Sequence, residues 1–168
     1  MNRRIFVKRG VWIGAALCAV RSSMAAELNY DEMIPLDAEA LAETGVKAAY
    51  ERLLPTLRKY VASPAEISEL IDHDVPSYAV TCMGTKYPIY DKGDQDESWG
   101  RATFALFDIV NRQLATAPRR LFAINGGNDL GGMFLTPAEA EAAKKSLPRK
   151  TDWPYLPNAK QPSYGQYH

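Results

Sequence analysis

The stretch RRLFAINGGNDLGGMFLT, Arg119 to Thr136, sets two short apolar runs on either side of a loop with four glycines. RRLFAIN and GMFLT are typical of short strands. Glycine adopts positive φ angles without steric cost, and Asn and Asp tolerate them, so the residues between suit a tight, irregular turn. The stretch therefore predicts a β-hairpin whose connection is a glycine loop, Asn125 to Gly132.

The glycine loop lacks the spacing of a nucleotide-binding motif. A dinucleotide fingerprint requires G-x-G-x-x-G before a helix, but Asn128 stands two places after Gly126 and the loop leads into a strand. The Gly-Lys-Ser/Thr of a P-loop is absent from the stretch. Two interpretations remain: the glycines serve the turn itself, or their bare backbone lets a partner protein approach closely.

A second hairpin is predicted in SYAVTCMGTKYPIY, Ser77 to Tyr90, where β-forming residues flank Met83-Gly84-Thr85. Pro88 has no amide hydrogen to donate to a neighbouring strand. The second strand of this hairpin is therefore expected at a sheet edge or beside a bulge.

Helical spacing dominates the chain before this hairpin. Apolar residues recur three and four apart from Asp37 to Val61, which predicts an amphipathic helix. Pro55 should kink this helix or break it into two pieces near Leu54. Ser63-Pro64-Ala65-Glu66 then combines a capping serine, a proline at the first helical position and a glutamate three residues after the cap. This motif predicts a short helix from Pro64 to Ile71.

Two further helices complete the predicted fold. Ser98 is expected to cap a helix running to about Ala115, and Thr136-Pro137-Ala138-Glu139 to start one ending near Leu147. The predicted class is α+β, with N-terminal helices followed by a small antiparallel sheet that has helices packed on one side. One domain is expected over residues 26–148, and the proline- and aromatic-rich residues 149–168 are expected to form a surface tail.

The first residues, MNRRIFVKRGVWIGAALCAVRSSMAA, have the layout of a secretory signal: a basic start, a short apolar run and small residues. The apolar run is too short to span a bilayer. Arg3-Arg4 resembles a twin-arginine signal, so both the general (Sec) and the twin-arginine (Tat) routes stay open. Residues 1–25 are thus predicted to be a signal peptide, and the mature protein to be periplasmic without a stable membrane anchor.

Removing the predicted signal changes the charge balance. The whole chain has 20 basic and 20 acidic residues, but the first 25 residues hold five of the basic ones and none of the acids. The mature chain would carry about five net negative charges. This charge argues against nucleic acid or an anionic membrane as the main partner and favours a basic protein.

Residues that could perform catalysis are scarce. Cys82 is the one cysteine outside the predicted signal, so no intramolecular disulfide is expected, and the histidines are His73 and His168. Cys82 and His73 could form a nucleophile and base, but a cysteine within a strand is usually a buried, inert thiol. The chain contains no G-x-S-x-G motif. No catalytic residue, metal or cofactor is predicted, although a hydrolase using two carboxylates stays open.

A candidate contact surface consists of two loops. The acidic run Asp91 to Ser98 does not match an EF-hand counted from Asp94, so it is interpreted as a solvated loop rather than a calcium site. Tyr and Trp flank it, and these residues often anchor protein interfaces. The predicted partner-binding residues are Tyr90, Asp94, Asp96 and Trp99 at this loop, and Asn125, Gly126, Gly127, Asn128 and Asp129 in the glycine loop.

Taken over the whole chain, this profile resembles the periplasmic immunity proteins that bacteria keep against type VI secretion effectors. The shared features are a signal peptide, one compact domain, an acidic mature chain and no catalytic set. The resemblance implies a binding protein rather than an enzyme. Such a protein inhibits a toxin, for example a cell-wall hydrolase, by inserting a loop into the toxin's active site. The alternatives are a small subunit or accessory protein of an exported redox enzyme, which the twin-arginine pattern favours, and the carboxylate hydrolase.

Overall fold

A computed structural model describes residues 28–160, and the predicted signal peptide and the last eight residues lie outside this range. The described chain mixes helices and strands, which confirms the predicted α+β class. The helices are α1 (Ala38–Glu43), α2 (Val46–Leu57), α3 (Ser98–Gln113) and α4 (Pro137–Ser146). The strands are β1 (Ile34–Pro35), β2 (Ile67–Asp72), β3 (Ser77–Cys82), β4 (Thr85–Tyr90), β5 (Arg120–Ile124) and β6 (Gly131–Leu135).

The strands form two antiparallel three-stranded sheets, in the orders β1-β6-β5 and β2-β3-β4. Both predicted hairpins are confirmed: Cys82 pairs with Thr85 across the first turn, and Ile124 pairs with Gly131 across the glycine loop. Pro88 lies in β4, an edge strand whose register with β3 shifts between Tyr78 and Ala79. The expectation of an edge or a bulge at Pro88 is therefore also confirmed.

The main hydrophobic core lies between the first three helices and the β2-β3-β4 sheet. Leu53 of α2, Leu106 of α3, Val80 of β3 and Ile89 of β4 are fully buried in it. The alternate residues of the same strands are exposed or half-buried, as period-two strands require. Helices thus cover this sheet on one face, as predicted.

The β1-β6-β5 sheet is buried on both faces. Leu121 and Phe134 point into the main core, whereas Phe122 and Met133 point into a second cluster beneath α4. Residues on both faces of these strands are buried, as the continuous apolar runs LFAI (121–124) and GGMFL (131–135) require. Gly132 fits here because a Cβ atom would lie 3.0 Å from Leu121 Cδ1.

The break in the N-terminal helix lies at Gly45 and not near Leu54, where it was predicted. Gly45 has a φ of +121°, which side-chain-bearing residues rarely adopt, so α1 ends before it and α2 begins after it. Pro55 lies inside α2, which continues to Leu57. Pro55 has no amide hydrogen to donate within the helix, yet the chain stays helical for two more residues.

The predicted helix from Pro64 to Ile71 is wrong, since Ile67–Asp72 is strand β2. The amide of Ala65 donates to the Gln113 side chain at 2.7 Å and its carbonyl accepts from the Tyr50 hydroxyl at 2.8 Å. These contacts with α3 and α2 use the backbone groups that a helix would need. Tertiary contacts therefore override a local capping signal.

The two later helices form with different caps. Ser98 is not the cap of α3, because Glu97 holds the non-helical position and Ser98 is already buried in the first turn. Thr136 caps α4 as predicted: its hydroxyl accepts from the Glu139 amide and the Glu139 carboxylate accepts from the Thr136 amide. Helix α4 then ends at Ser146, beside the predicted Leu147.

The chain after α4 returns to the sheet. Tyr155 exchanges two backbone hydrogen bonds with Ala123, at 2.8 and 3.0 Å, on the free side of β5. The indole nitrogen of Trp153 donates to the Leu147 carbonyl at 3.2 Å. The first part of the predicted tail thus packs against the fold, and Tyr164, Tyr167 and His168 lie outside the described residues.

Candidate functional site

The glycine loop turns through backbone conformations that most residues avoid. Asn125 and Gly127 have φ angles of 56° and 60°, and Gly127–Asp129 form one turn of 3-10 helix. Asn and Gly are the residues that adopt such angles most readily. The side chain of Leu130 is buried directly after the turn. The exposed part of the loop is therefore only its tip, Gly127 to Asp129.

Both ends of the loop are fixed by hydrogen bonds to distant parts of the chain. The Tyr155 hydroxyl donates to the Asn125 carbonyl at 2.9 Å. The Leu130 carbonyl accepts from the amides of Leu36 and Asp37 at 2.8 and 3.2 Å. Because Tyr155 and Leu130 are buried, the base of the loop is held by the core rather than by solvent-exposed contacts.

The tip of the loop contacts the start of α1. The Asn128 amide nitrogen donates to Glu39 Oε2 at 2.8 Å, and the Asp37 carboxylate caps α1 by accepting from the amides of Glu39 and Ala40. Asp37 itself has a φ of 63°. Asp129 is exposed beside these groups. The tip is thus a compact polar surface with carboxylates at Glu39 and Asp129.

The acidic loop is exposed from Asp91 to Glu97, and Arg101 of α3 fixes it. The guanidinium of Arg101 lies 2.9 Å from Asp94 Oδ1 and 3.7 Å from Glu97 Oε2. The hydrogen bond from Arg101 holds the pKa of Asp94 below its usual value. Asp94 therefore has a structural role as well as a charge, whereas Asp96 is exposed without a described hydrogen bond.

The two aromatic candidates at this loop differ in exposure. Trp99 lies in the first turn of α3 and is 40% exposed, so it is available to a partner. Tyr90 is half-buried, and its ring packs edge-on against Tyr78 with centroids 5.8 Å apart. Trp99 is the stronger candidate anchor of the two.

A groove of about 530 Å³ lies beside the acidic loop, between β4 and α3. Its wall includes Pro88, Phe104 and Asp108. The buried Tyr87 hydroxyl donates to Asp108 at 2.7 Å and accepts from Arg112 at 3.0 Å. Burial, together with the hydrogen bond to Asp108, raises the pKa of Tyr87. The groove therefore offers an apolar wall with a neutral phenol at its base.

The glycine loop and the acidic loop are attached to neighbouring helices. Asn128 binds Glu39 of α1, Asp94 binds Arg101 of α3, and α1 packs against α3. Sequence patterns pointed to both loops but not to the groups that fix them. Asp37 carried a signal, as a capping residue before a helix, whereas nothing local marked Tyr155, which lies 30 residues beyond Asn125.

The possible nucleophile and base are separated. Cys82 pairs with Ile67 at one end of the β2–β3 hairpin, whereas His73 follows Asp72 in the turn at the other end. Cys82 is buried, and burial raises the pKa of its thiol, which opposes formation of a nucleophilic thiolate. These two residues do not form a catalytic pair.

Residues 28–160, the part of the chain that the structure describes, contain neither a cluster of metal ligands nor a helix that could span a membrane. In that range no group of three or more His, Cys, Asp or Glu side chains is placed to hold a metal ion. None of the helices described there is long and apolar enough to cross a membrane.

No family model matches the chain, and no similar protein is found among curated sequences or solved structures.

Proposed function

We propose that the chain is an exported periplasmic immunity protein, which neutralises a secreted toxin such as a cell-wall hydrolase by covering its active site. One observation carries the proposal: the exposed tip Gly127 to Asp129 stands on a base that Tyr155 and Leu130 fix from the core. A loop that is already ordered loses little conformational entropy when it binds. Narrow, bare backbone at Gly126 and Gly127 lets such a tip enter a cleft.

Charge supports a basic partner for this surface. Asp129 lies in the tip and Glu39 contacts it through Asn128, and the exposed acidic loop adds Asp91, Asp96 and its neighbours. Without the predicted signal the chain carries about five net negative charges. Complementary charge accelerates association and rejects wrong partners more than it adds affinity. The proposal assigns the protein no catalysis and no cofactor.

The first experiment identifies the partner. The tagged mature protein is expressed in the periplasm of its own host and purified with whatever it binds, which mass spectrometry then identifies. We expect a basic hydrolase or other toxin, and the purified protein should inhibit it at equimolar concentration. A redox enzyme as the partner would favour the accessory-subunit alternative. If nothing co-purifies and the protein itself cleaves muropeptides, the proposal is wrong.

The second experiment tests the glycine loop within that complex. The double variant Asn128→Arg with Asp129→Arg adds bulk and positive charge at the tip, where side chains are exposed. It should weaken toxin binding at least about a hundredfold, which corresponds to about 2.7 kcal/mol, and leave the melting temperature nearly unchanged. The double variant Ala115→Arg with Glu141→Arg makes the same change in net charge at other exposed sites and should bind normally. Equal affinities of the two variants in titration calorimetry would contradict the assignment.

A further inference from the structure

Strand β2 has one side without a strand partner, since it lies at the edge of the β2-β3-β4 sheet. The register shows which backbone groups face that side. Met83 and Gly84 have φ angles of 47° and 74°, so the two-residue turn places Cys82 and Thr85 in a hydrogen-bonded pair. Successive residues of a central antiparallel strand form their backbone hydrogen bonds alternately with the strand on one side and the strand on the other. Because Cys82 bonds to β4, the residues of β3 that bond to β2 are Ser77, Ala79 and Thr81.

The backbone groups of Ile67, Glu69 and Ile71 therefore point away from β3. Their amides and carbonyls form no hydrogen bond with the residues described in the structure. Three donors and three acceptors in a row are the template that an added strand requires.

Helix α2 and the residues that lead into β2, Pro64 to Ile67, line a groove at the start of this edge. The groove has a volume of about 430 Å³ and includes Tyr50, Leu54 and Ile67 in its lining. The Glu69 carboxylate accepts from the Lys47 amide at 2.9 Å and so ties the start of α2 to β2. The groove reaches the free edge at Ile67, the first residue of β2, and exposed sheet edges bind extended peptides as additional strands.

The chemistry of the edge indicates its occupant. Leu70 and Val75 are 68% and 56% exposed, so an added strand would find apolar contacts outside the groove. Residues 63–77, which form the strand side, contain four acids, Glu66, Glu69, Asp72 and Asp74, and no Lys or Arg, whereas Lys47 and Arg58 line the α2 side of the groove. A second copy of β2 would bring like charges together across the strands, which destabilises pairing. The outer edge of β4 differs, because Lys86 and Pro88 are residues that discourage strand addition.

We propose that the β2 edge binds an extended basic segment of the partner protein as a fourth strand of this sheet. The identity of the partner as a toxin rests on the proposed function, but the edge can be tested without it. In the complex, the glycine loop and the β2 edge would be two separate contacts with one partner. Loss of either contact is expected to weaken the complex.

The test uses a capped hexapeptide of alternating lysine and valine at about 1 mM, a concentration suited to weak binding. Amide hydrogen exchange of the mature protein is measured by NMR with and without it. Exchange at Ile67, Glu69 and Ile71 should slow by about tenfold or more, because these amides gain acceptors. The matched glutamate–valine peptide should have no effect. Unchanged exchange with the lysine peptide, or equal slowing by both peptides, would overturn the proposal.

Two sets of variants locate the effect. Ile71→Pro removes an amide that faces outward and should abolish peptide binding while the sheet forms, whereas Leu70→Pro removes a ladder amide and should destabilise the fold. Glu66→Lys with Asp74→Lys changes exposed carboxylates without described hydrogen bonds and should weaken binding about tenfold or more.

The outcomes separate this proposal from the proposed function. Peptide binding that survives both sets of variants would overturn the assignment to β2. Slowed exchange at the same three amides in concentrated protein alone would assign the edge to a second copy instead. Peptide binding at β2 together with a failure to find any toxin would count against the proposed function only.

Discussion

Replacing Glu69 with alanine removes the acceptor that joins α2 to the β2-β3-β4 sheet. The Glu69 carboxylate accepts from the Lys47 amide and from the Tyr78 hydroxyl, and that hydroxyl accepts from the Val46 amide at 2.7 Å. Gly45, at the cap position of α2, has no side chain to perform this task. Glu69 thus caps a helix from 22 residues away.

The expected cost follows from the burial of each partner. Tyr78 is 1% exposed, so its hydroxyl loses an acceptor where water cannot easily replace it, whereas the Lys47 amide is exposed and can bind water. A hydrogen bond to a charged group contributes about 1.5–3 kcal/mol to stability. We expect Glu69→Ala to lower the free energy of unfolding by about 2–3 kcal/mol and the melting temperature by about 6–10 °C.

Urea and thermal unfolding of the mature protein measure this loss. Glu69→Gln keeps an acceptor and should lose less than half as much. Glu66→Ala, a neighbouring exposed glutamate without a described hydrogen bond, should change stability by less than about 0.5 kcal/mol. A Glu69→Ala protein as stable as Glu66→Ala would refute the assignment of a cap to Glu69.

Three further predictions concern the sheet that carries the glycine loop. Burial raises the pKa of Tyr155 to about 12, so its contribution to stability is complete below pH 10 and is lost as the pH rises through 12. Tyr155→Phe should therefore flatten the alkaline part of the curve of unfolding free energy against pH. Equal slopes for the wild type and the variant would contradict this. Burial opposes ionisation of Glu139, but hydrogen bonds from Thr136 and the Arg119 charge outweigh it and lower its pKa. Its contribution is therefore present above about pH 4.5 and fades in acid, so wild type should lose more stability than Glu139→Gln between pH 5 and 3. Gly132→Ala should cost about 1–3 kcal/mol in urea unfolding, because the new methyl group would press on Leu121 and Leu36; an unchanged midpoint would show that these side chains move aside.

Local patterns were sufficient where a few adjacent residues determine the structure. Met83-Gly84-Thr85 indicated the turn of a hairpin, Pro88 a sheet edge or a bulge, and Thr136 with Glu139 a capping box, and all three form as predicted. In each case the interacting groups lie within a few residues of one another.

Long-range contacts decided the places where prediction from the sequence failed. Ser63 to Glu66 carries a capping motif, but Gln113 and Tyr50 bind Ala65 and hold the chain extended. Gly45 was not recognised as the helix break because its neighbours continue the apolar spacing. The division of six strands between two sheets also depends on which faces the helices cover, which no short segment encodes.

The candidate site shows the same contrast between local sequence signals and long-range contacts. The glycine loop and the acidic loop were identified from composition, because glycines, acids and aromatics cluster there. The hydrogen bonds that fix the loops were not identified, because Tyr155, Leu36 and Arg101 bind residues elsewhere in the chain. The sequence therefore indicated where contact could occur but not that the glycine loop is held rigid.

Hydrogen–deuterium exchange on the complex purified from the periplasm tests the central claim most directly. The amides of Gly127 and Asn128 donate no hydrogen bond to the backbone described here, so they should exchange rapidly in the free protein. Binding of a toxin to the glycine loop should slow their exchange by about tenfold or more, together with that of Asp91 to Glu97. A stable complex that leaves the exchange at Gly127 and Asn128 unchanged would contradict the claim that this loop covers the partner's active site.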